Sequence, residues 1–442
     1  MSSLVFSKYN VITTDQKESV LLIHNILNHS GIALKMNYAN KMKSMLEKNA
    51  ISCDDHYLIE KLLENGIVIE DSVDENAEIK KIKDRILEAS ENELSLIIIP
   101  TNQCNFRCIY CWEHTQNQRD EMTNKKQNQL LEFVSKNAGN FKHIDIEWFG
   151  GEPLLAPNVI KNLLKGINEI ARRNRIPYLS SITTNGYSLD IEMFRFLLKY
   201  HNNFFQITID GPARLHNNNR PLKNNRGTFD TILDNLKRIR DNVQTHSFKI
   251  ILRLNITGDS QQYMKEYIEI LEREFSRDKR FRLYVHEIED LGGPRHDEIH
   301  FLNQSNQIEE VQLLALEKDI MTHALKMLKP GDYFCRAQKN NSYVIYPDGT
   351  FSKCDVSREP YNNVAVLDDN GSLIINDSNY SFWKNQQEPA YCLDCLLRPL
   401  CFGMKCPYTH SIVKRKCELH NNLSILRNAV RTYYQEGKYS VY

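Results

Sequence analysis

No stretch of this sequence stays apolar for the roughly 18 residues that a membrane-spanning helix needs. The first ten residues also lack the basic region and apolar run of a secretory signal. Net charge is absent too: 56 Lys and Arg residues balance 56 Asp and Glu residues, so no overall field favours nucleic acid or an anionic membrane. We therefore expect a cytoplasmic protein with neither a nucleic acid nor a membrane as partner.

Cysteine is nearly absent outside two clusters. Ten of the eleven cysteines fall within residues 104–111 and 335–417. Because the cytoplasm keeps thiols reduced, disulfides are not expected, and the clustering indicates metal sites instead. Cys53 lies outside both clusters and is expected to be a buried structural thiol.

The first cluster holds three cysteines on one short loop, Cys104, Cys108 and Cys111, with no fourth cysteine nearby. A cubane iron–sulfur cluster normally takes four cysteine ligands, so three thiolates would leave one iron open. An open coordination position allows chemistry at the metal. Structural zinc is the alternative, but zinc sites more often use paired two-residue spacings.

The length of 442 residues predicts two to four domains. Residues 1–80 combine short strands and two helices, which is typical of a winged-helix-like module. Such a module offers an exposed strand edge that can capture an extended peptide. A purely packing role is the alternative, and DNA binding is not favoured because the helices carry no clear basic stripe. Residues 81–93 are predicted to form a charged linker helix.

From residue 94 the pattern alternates between strands and helices, which predicts an α/β fold with a parallel sheet. Residues 94–290 are too few for eight strand–helix units, so we expect a partial (β/α)6 TIM-type barrel. The predicted strands are Leu94–Pro100, His143–Phe149, Leu179–Thr184, Phe204–Ile209, Phe248–Thr257 and Arg280–Ile288. A bridging segment at 291–330, a cysteine-rich region at 331–420 and a helix with tail at 421–442 follow.

Polar and glycine-rich motifs end successive predicted strands. Gly150-Gly-Glu-Pro153 follows the second strand, Thr184-Asn-Gly186 the third and Thr208–Pro212 the fourth. Each alone could be an ordinary turn, but together they place small polar groups where a nucleoside would need partners. Arg253 and Asn255 alternate with leucines, so both should point to one face of the fifth strand, where an arginine needs an anion.

In combination, the cysteine triad and these motifs resemble radical S-adenosylmethionine (SAM) enzymes over about residues 94–290. The resemblance implies a [4Fe-4S] cluster on Cys104, Cys108 and Cys111 that binds SAM and cleaves it to a 5′-deoxyadenosyl radical. It also implies SAM contacts at these positions: Gly150, Gly151 and Glu152 on the methionine amino group, Thr184, Asn185, Thr208 and Asp210 near the ribose, Arg253 near the carboxylate, and Tyr110 against the adenine.

The second cysteine cluster resembles the SPASM domain, which holds two auxiliary [4Fe-4S] clusters. That likeness implies an outer cluster on Cys392, Cys395, Cys401 and Cys417. It assigns the inner cluster to Cys335, Cys354 and Cys406. Four residues separate Cys401 from Cys406 where the pattern has three, and Lys329 stands where some relatives have another cysteine. The inner cluster is thus predicted to have an open iron, while a zinc ribbon is the alternative for this segment.

SPASM proteins of this family mostly modify peptides or proteins, and the arrangement of residues 1–80 resembles a leader-peptide recognition element. The main hypothesis is therefore a maturase that joins a cysteine sulfur to a carbon in a ribosomally made precursor peptide. A reductant such as flavodoxin or ferredoxin is expected. The alternatives are a carbon–carbon or carbon–oxygen crosslinking maturase, a sulfatase-maturing oxidase with Asp355 as catalytic base, and a non-enzymatic electron carrier or redox sensor. Asp355 could instead only accept backbone hydrogen bonds.

Overall fold

The computed structural model describes residues 3–15, 18–51, 55–115, 120–288, 295–302, 306–323, 328–357, 359–403 and 423–442. The predicted ligands Cys406 and Cys417 and the predicted structural thiol Cys53 lie outside these ranges. No helix within the described ranges is both long and apolar enough to cross a membrane.

The first ninety residues contain short strands and three helices. The strands are β1 Leu4–Phe6, β2 Asn10–Asp15, β3 Val20–Asn25, β4 Ser30–Leu34 and β5 Val68–Glu70. The helices are α1 Met36–Lys48, α2 His56–Glu64 and α3 Glu75–Glu91. Residues 7–9 separate β1 from β2, and Gly66 turns the chain into β5 with a φ of +62°.

Strands and helices alternate through the middle of the chain. The strands are β6 Glu93–Ile98, β7 His143–Trp148, β8 Tyr178–Thr184, β9 Asn202–Thr208, β10 Lys249–Ile256 and β11 Phe281–Glu287. The helices are α4 Asn124–Asn137, α5 Pro157–Asn174, α6 Ile191–Lys199, α7 Ala213–Asn219, α8 Phe229–Asn242 and α9 Met264–Phe275. Side chains cap two of them: Thr123 accepts from the third amide of α4 and Asp190 from the third amide of α6.

Shorter elements complete the chain. The strands are β12 Ser342–Ile345, β13 Thr350–Ser352, β14 Asn363–Leu367, β15 Leu373–Ile375 and β16 Ser440–Val441. The helices are α10 Asn306–Glu317, α11 Asp377–Lys384, α12 Arg398–Cys401 and α13 Leu423–Gln435.

The chain divides into two compact units. One comprises residues 1–88, 323–335 and 386–442, and the other comprises 89–322 and 336–385. The cysteine-rich region predicted at 331–420 is therefore divided between them: Cys335, Cys392, Cys395 and Cys401 belong to the first unit and Cys354 to the second.

The second unit is built on one large sheet, which confirms the predicted α/β class. Its strand order, among the described residues, is β11-β10-β9-β8-β7-β6-β12-β13-β14-β15. Strands β6 to β11 are neighbours in chain order and all run parallel. Strand β12 adds a further parallel strand beside β6, which sequence reasoning did not predict. Because the strands are parallel, the loops after β6 to β10 all leave from one edge of the sheet.

The first unit contains an antiparallel sheet formed by β2, β3 and β4. Helices α1 and α2 bury residues such as Met42 and Leu62 against one face of it. The other face packs against α13, where Val430 is fully buried. The module was predicted to offer an exposed strand edge, but its edge at β4 is paired in parallel with β16. This pairing joins segments about four hundred residues apart, so no local pattern could have indicated it.

Candidate functional site

The loop that follows β6 carries the cysteine triad and is hydrogen-bonded to residues 219–222, at the end of α7. Phe106, fully buried, forms a bridge with Leu222. The amides of Arg107 and Ile109 donate to the carbonyls of Pro221 and Asn219 at 2.8 and 3.0 Å. These contacts fix the loop on both sides of the second cysteine by backbone bonds and one aromatic side chain.

The three thiols of this loop are free and lie close to one another. Burial, followed by the charges of Glu152 and Cys108, raises the pKa of Cys104 to about 12. Burial also raises the pKa of Cys108, and burial together with Cys108 raises that of Cys111. Without a metal, the raised pKa values keep the three thiols protonated. A metal centre that binds them as thiolates must therefore displace those protons.

The Gly150-Gly151 pair lies against the backbone that enters the cysteine loop. A Cβ on Gly151 would stand 2.4 Å from the carbonyl oxygen of Gln103, and Gly150 has a φ of +112°. The next amide, that of Glu152, donates to the same Gln103 carbonyl at 2.8 Å. Only glycine permits this approach, because any side chain at residue 151 would push the two loops apart.

Glu152 is buried and joins the end of β7 to the end of β8. Its Oε1 accepts from the Thr184 hydroxyl at 2.7 Å and from the Leu154 amide at 2.9 Å. Its Oε2 accepts from the Asn185 amide at 2.7 Å. Burial nevertheless raises the pKa of this carboxyl. Since a carboxylate offers about four acceptor positions, about one on Oε2 is left for a ligand ammonium.

Asn185 connects this carboxylate to the cysteine loop. While its amide binds Glu152, its side-chain Nδ2 donates to the Asn105 Oδ1 at 2.8 Å. Asn105 directly follows the first cysteine, so the structure brings the β8 end and the triad together. The predicted ribose contact Thr208 is buried at the end of β9, opposite Arg253 in the sheet register.

A hydrogen-bonded network centres on the Tyr110 hydroxyl. It donates to Asp210 Oδ2 at 2.6 Å and accepts from Arg220 Nη1 at 2.6 Å and from Asn255 Nδ2 at 3.0 Å. Asp210 Oδ1 accepts from the Asn255 amide at 3.2 Å. Both Asp210 oxygens are thus already bonded to protein groups, and Tyr110 is oriented by three polar partners.

Arg220 is a site residue that sequence reasoning missed. It is only 6% exposed, and its guanidinium lies 5.6 Å from the centroid of the Phe106 ring. Burial alone would lower the pKa of Arg220, but the neighbouring Cys108, Tyr110 and Asp210 raise it well above the ordinary value. Its Nε is buried without a hydrogen-bond partner. Arg220 follows a short helix and has no periodic signal, so only the fold reveals its place.

His216 stabilises the turn at Asp210 by a hydrogen bond to its backbone amide. Its Nδ1 accepts the Asp210 amide at 3.1 Å and its Nε2 contacts the Thr228 hydroxyl at 3.1 Å. Burial, together with Arg220, lowers the pKa of His216 well below its usual value, so the ring stays neutral. A neutral ring can accept at one nitrogen and donate at the other, as this position requires.

Arg253 and Asn255 lie on one face of β10, as the alternation predicted. Arg253 Nε donates to Asn255 Oδ1 at 2.8 Å, and its Nη2 lies 3.2 Å from His286 Nδ1 on β11. Burial and the Arg253 charge lower the pKa of His286 to about 3, so this histidine is neutral and accepts the bond. The two hydrogen-bond partners of Arg253, Asn255 and His286, are therefore both neutral.

Residues 98–286 match the family model described as the Radical SAM superfamily. Residues 98–286 are thus similar to the Radical SAM superfamily, and we call this range the radical SAM domain. The match spans β6 to β11 and all the polar clusters described above, which confirms the domain that the motifs predicted.

Two curated relatives cover part of the chain. The radical SAM cyclopropyl synthase TigE of Paramaledivibacter caminithermalis is 24% identical over 281 residues, which is 56% of this chain and 57% of TigE. A cysteine-type anaerobic sulfatase-maturating enzyme of Clostridium novyi is 26% identical over 217 residues, which is 48% of this chain and 55% of the relative. The chain thus spans just over half the length of each.

Two solved structures share the fold. Native anSMEcpe with bound AdoMet has a TM-score of 0.59 and 18% identity, and the alignment covers 78% of this chain and 97% of anSMEcpe. SuiB of Streptococcus suis bound to the precursor peptide SuiA has a TM-score of 0.51 and 14% identity, with 93% and 97% of the two chains covered. These likenesses establish a radical SAM fold with a large parallel sheet.

The residues of the radical SAM domain fit the [4Fe-4S] cluster and SAM that the family implies. Three free thiols share one loop, a glycine pair allows close backbone approach, and a buried arginine nitrogen lacks a partner beside them. Within the described ranges, no three His, Cys, Asp or Glu side chains are grouped so as to hold one metal ion. A set of three cysteines suits a cubane with one open iron better than structural zinc, which takes four ligands.

The described cysteines of the first unit lie on two segments that contact each other. The Tyr333 amide donates to the Leu400 carbonyl at 2.8 Å, and the Phe334 and Phe402 rings lie 5.6 Å apart. These contacts run beside Cys335 and Cys401. Cys392 and Cys395 share a turn through a 3.1 Å backbone bond. The predicted ligand sets remain predictions, since they also require cysteines outside the described residues.

In the second unit, Asn362 organises the loop that carries Cys354 and Asp355. Its Oδ1 accepts from the amides of Lys353 and Cys354, and its Nδ2 donates to the carbonyls of Cys354 and Ser357 at 2.7 Å. The Ser357 amide lies 3.4 Å from the Cys354 sulfur and donates to it. The loop is therefore rigid around the thiol, and the base role of Asp355 stays a prediction.

Proposed function

We propose that this chain is a radical SAM maturase that installs thioether crosslinks, from a cysteine sulfur to a carbon, in a ribosomally made precursor peptide. One observation supports the radical chemistry. The three cysteines of the triad lie at the same sheet edge as the hydrogen-bonded networks of Glu152 and Tyr110. When bound, the [4Fe-4S] cluster and SAM supply a 5′-deoxyadenosyl radical that takes a hydrogen atom from substrate.

The protein residues bind and orient SAM. Glu152 offers its remaining acceptor position to the ammonium group, and Gly150 and Gly151 let the backbone approach it. Arg253 provides a cation for the carboxylate, and Arg220 adds a second cation, which is buried and interacts electrostatically with Cys108. Thr184, Asn185, Thr208 and Asp210 line the strand ends where the ribose would lie, and Tyr110 borders the adenine. Because these groups are held by protein hydrogen bonds, little reorganisation is needed on binding.

A peptide substrate is supported by the structural neighbours, since SuiB was solved with the precursor peptide SuiA and anSMEcpe with the Cp18Cys peptide. The thioether assignment rests on the predicted inner auxiliary cluster, in which Cys335, Cys354 and Cys406 would leave one iron open for a substrate thiolate. Lys329 occupies the place of an additional cysteine in some relatives, so it supplies no fourth ligand there.

Anaerobic reconstitution with iron, sulfide, SAM and dithionite tests the radical chemistry. Formation of 5′-deoxyadenosine is expected from the parent chain and should be abolished in Cys104→Ala, which should still retain about two auxiliary clusters. An intact triad cluster that yields no 5′-deoxyadenosine would support the electron-carrier alternative instead.

The thioether step is tested with the peptide from any short cysteine-rich open reading frame that neighbours this gene. Mass spectrometry should show a loss of two hydrogens per crosslink in the parent peptide. Replacement of the peptide's cysteines by serine should abolish that loss. Unchanged crosslinking of the serine peptide would instead favour a carbon–carbon or carbon–oxygen maturase, an alternative supported by the similarity to the cyclopropyl synthase TigE.

A sulfatase-maturing oxidase is the second candidate. Asp355 directly follows Cys354 in the rigid Asn362 loop, and relatives of that class match the chain. Formation of formylglycine from a synthetic cysteine-containing sulfatase peptide, abolished by Asp355→Asn, would support this candidate. Absence of formylglycine alongside normal 5′-deoxyadenosine formation would exclude it.

A further inference from the structure

The edge of the first unit's sheet at β4 is occupied by residues 437–442, which we call the edge segment. Its strand β16 runs parallel to β4. The Tyr442 amide donates to the Ala33 carbonyl at 2.8 Å, and the Lys35 amide donates to the Tyr442 carbonyl at 2.7 Å. The β4 edge thus binds an extended backbone in this structure.

Aromatic side chains complete this binding surface. The Tyr442 ring contacts that of Tyr57 on α2 with centroids 6.1 Å apart, and the Tyr57 ring lies 6.4 Å from that of Tyr38 on α1. Tyr57 is 49% exposed even with the edge segment in place. The surface therefore combines main-chain hydrogen bonding at β4 with an accessible aromatic pocket formed by α1 and α2.

The edge segment is fixed at residues 437–439 and makes fewer contacts at its strand, residues 440–441. Gly437, with φ of +70°, ends α13 through 2.9 and 3.0 Å bonds from the amides of residues 437 and 438 to the helix carbonyls. Tyr439 is buried, with its hydroxyl 3.1 Å from His24 Nδ1 and its ring over Gly31. Beyond this anchor, Ser440 and Val441 are exposed and form a strand of only two residues.

We propose that residues 440–442 are an internal competitor for the β4 edge, displaced by a precursor peptide that binds there in extended conformation with an aromatic side chain in the Tyr38–Tyr57 pocket. This rests on the proposed function, which supplies a peptide substrate. Strand addition provides affinity through the main chain, while a side-chain pocket provides selectivity. If residues 440–442 occupy the β4 edge nine-tenths of the time, the apparent affinity of a competing peptide is lowered about tenfold.

A matched pair of proline variants tests the competition in the full-length chain with its clusters loaded. Tyr442→Pro removes both the amide donated to Ala33 and the aromatic ring. In Val441→Pro the lost amide points away from β4, because successive residues of a strand alternate. The probe is a fluorescein-labelled synthetic peptide with the sequence of residues 435–442, and its binding is followed by fluorescence anisotropy.

We expect Tyr442→Pro to bind the probe about tenfold more tightly than the parent chain, and Val441→Pro to bind it as the parent does. Hydrogen exchange at the Lys35 amide should be faster in Tyr442→Pro and slow again when the probe is added. Equal affinities in all three chains, or no protection of Lys35 by the probe, would overturn the proposal.

A second variant keeps the result decisive if Tyr442→Pro folds poorly. Tyr57→Ala removes the half-exposed ring that both the edge segment and the probe contact, so the Lys35 amide should exchange severalfold faster while the apparent affinity for the probe stays within about twofold of the parent. Parent-like slow exchange of Lys35 in Tyr57→Ala would also overturn the proposal. The probe assay requires no SAM cleavage. Failed competition with normal 5′-deoxyadenosine formation refutes this inference alone, and the opposite pattern refutes only the proposed function.

Discussion

The most informative single residue of the radical SAM domain is Arg220. It contacts Tyr110 at 2.6 Å and faces Phe106, although it is 110 residues from Tyr110 in sequence. Sequence reasoning assigned the anion-binding role to Arg253 alone, because alternation along a strand can be read locally. The structure places two arginines around the network of Tyr110, Asp210 and Asn255.

Replacement of Arg220 should therefore affect cofactor binding more than folding. We expect Arg220→Met to slow 5′-deoxyadenosine formation about 10- to 100-fold, since hydrogen bonds to a charged group contribute about 1.5–3 kcal/mol. Arg220→Lys should recover part of that loss. The exposed Arg226→Met is the control. Electron paramagnetic resonance of the reduced triad cluster should change in Arg220→Met, and an unaltered SAM dissociation constant and spectrum would contradict the assignment.

A second residue-scale prediction concerns Gly151. A methyl group there would overlap the Gln103 carbonyl, so Gly151→Ala must move the backbone that leads into Cys104. After reconstitution, we expect the variant to contain about four fewer irons per chain than the parent, because the triad cluster is lost. Gly139→Ala is the matched control, because a Cβ at residue 139 meets nothing within 4 Å. Full iron content in Gly151→Ala would show that the loops are more tolerant than their spacing indicates.

At the scale of elements, strand β3 depends on a buried neutral histidine. His24 Nε2 donates to the Leu328 carbonyl at 3.0 Å while Nδ1 accepts from the Tyr439 hydroxyl. Burial lowers the pKa of His24 to about 4. The strands themselves follow from alternating apolar residues, but the partners that keep this ring neutral come from segments distant in sequence.

Acid should destabilise the first unit through His24. Its folded pKa of about 4 lies below the unfolded value of 6.5, so the unfolded state binds more protons between these values. Stability is therefore complete above pH 6.5 and falls as the pH decreases toward 4, by about 2 kcal/mol at pH 5. Urea unfolding at pH 7.5 and 5 should show a smaller pH effect in His24→Gln. The exposed His56→Gln should behave as the parent, and equal pH effects in all three chains would contradict this role.

At the scale of the whole molecule, the chain forms two compact units that each combine distant segments. The motifs correctly placed the radical SAM domain, whose comparison match covers residues 98–286. The division of residues 331–420 between the two units could not be predicted from the sequence. Residues 336–385 extend the large sheet through β12 to β15, whereas 386–403 pack with the first unit, and cysteine spacing alone does not separate these roles.

Ligand binding should distinguish the two units. SAM that binds only the folded radical SAM domain stabilises it by about 2.7 kcal/mol at a concentration one hundred times its dissociation constant. Hydrogen exchange in increasing urea should show protection by SAM in residues 89–322 and 336–385. Amides of β2 and β3 should exchange unchanged and serve as the internal control. Equal protection of both units would contradict SAM binding confined to the second unit.

The parallel strands, the loops at their carboxyl ends and the cysteine triad could be predicted from the sequence. These features are local: side-chain periodicity defines each strand, and parallel pairing brings the loops to one edge. Three contacts became evident from the fold alone: Arg220 reaches Tyr110, both Asp210 carboxylate oxygens accept hydrogen bonds from protein groups, and residues 440–442 pair with β4. Each of those contacts joins segments far apart in the chain, and long-range hydrogen bonds leave no periodic trace in the residues that form them.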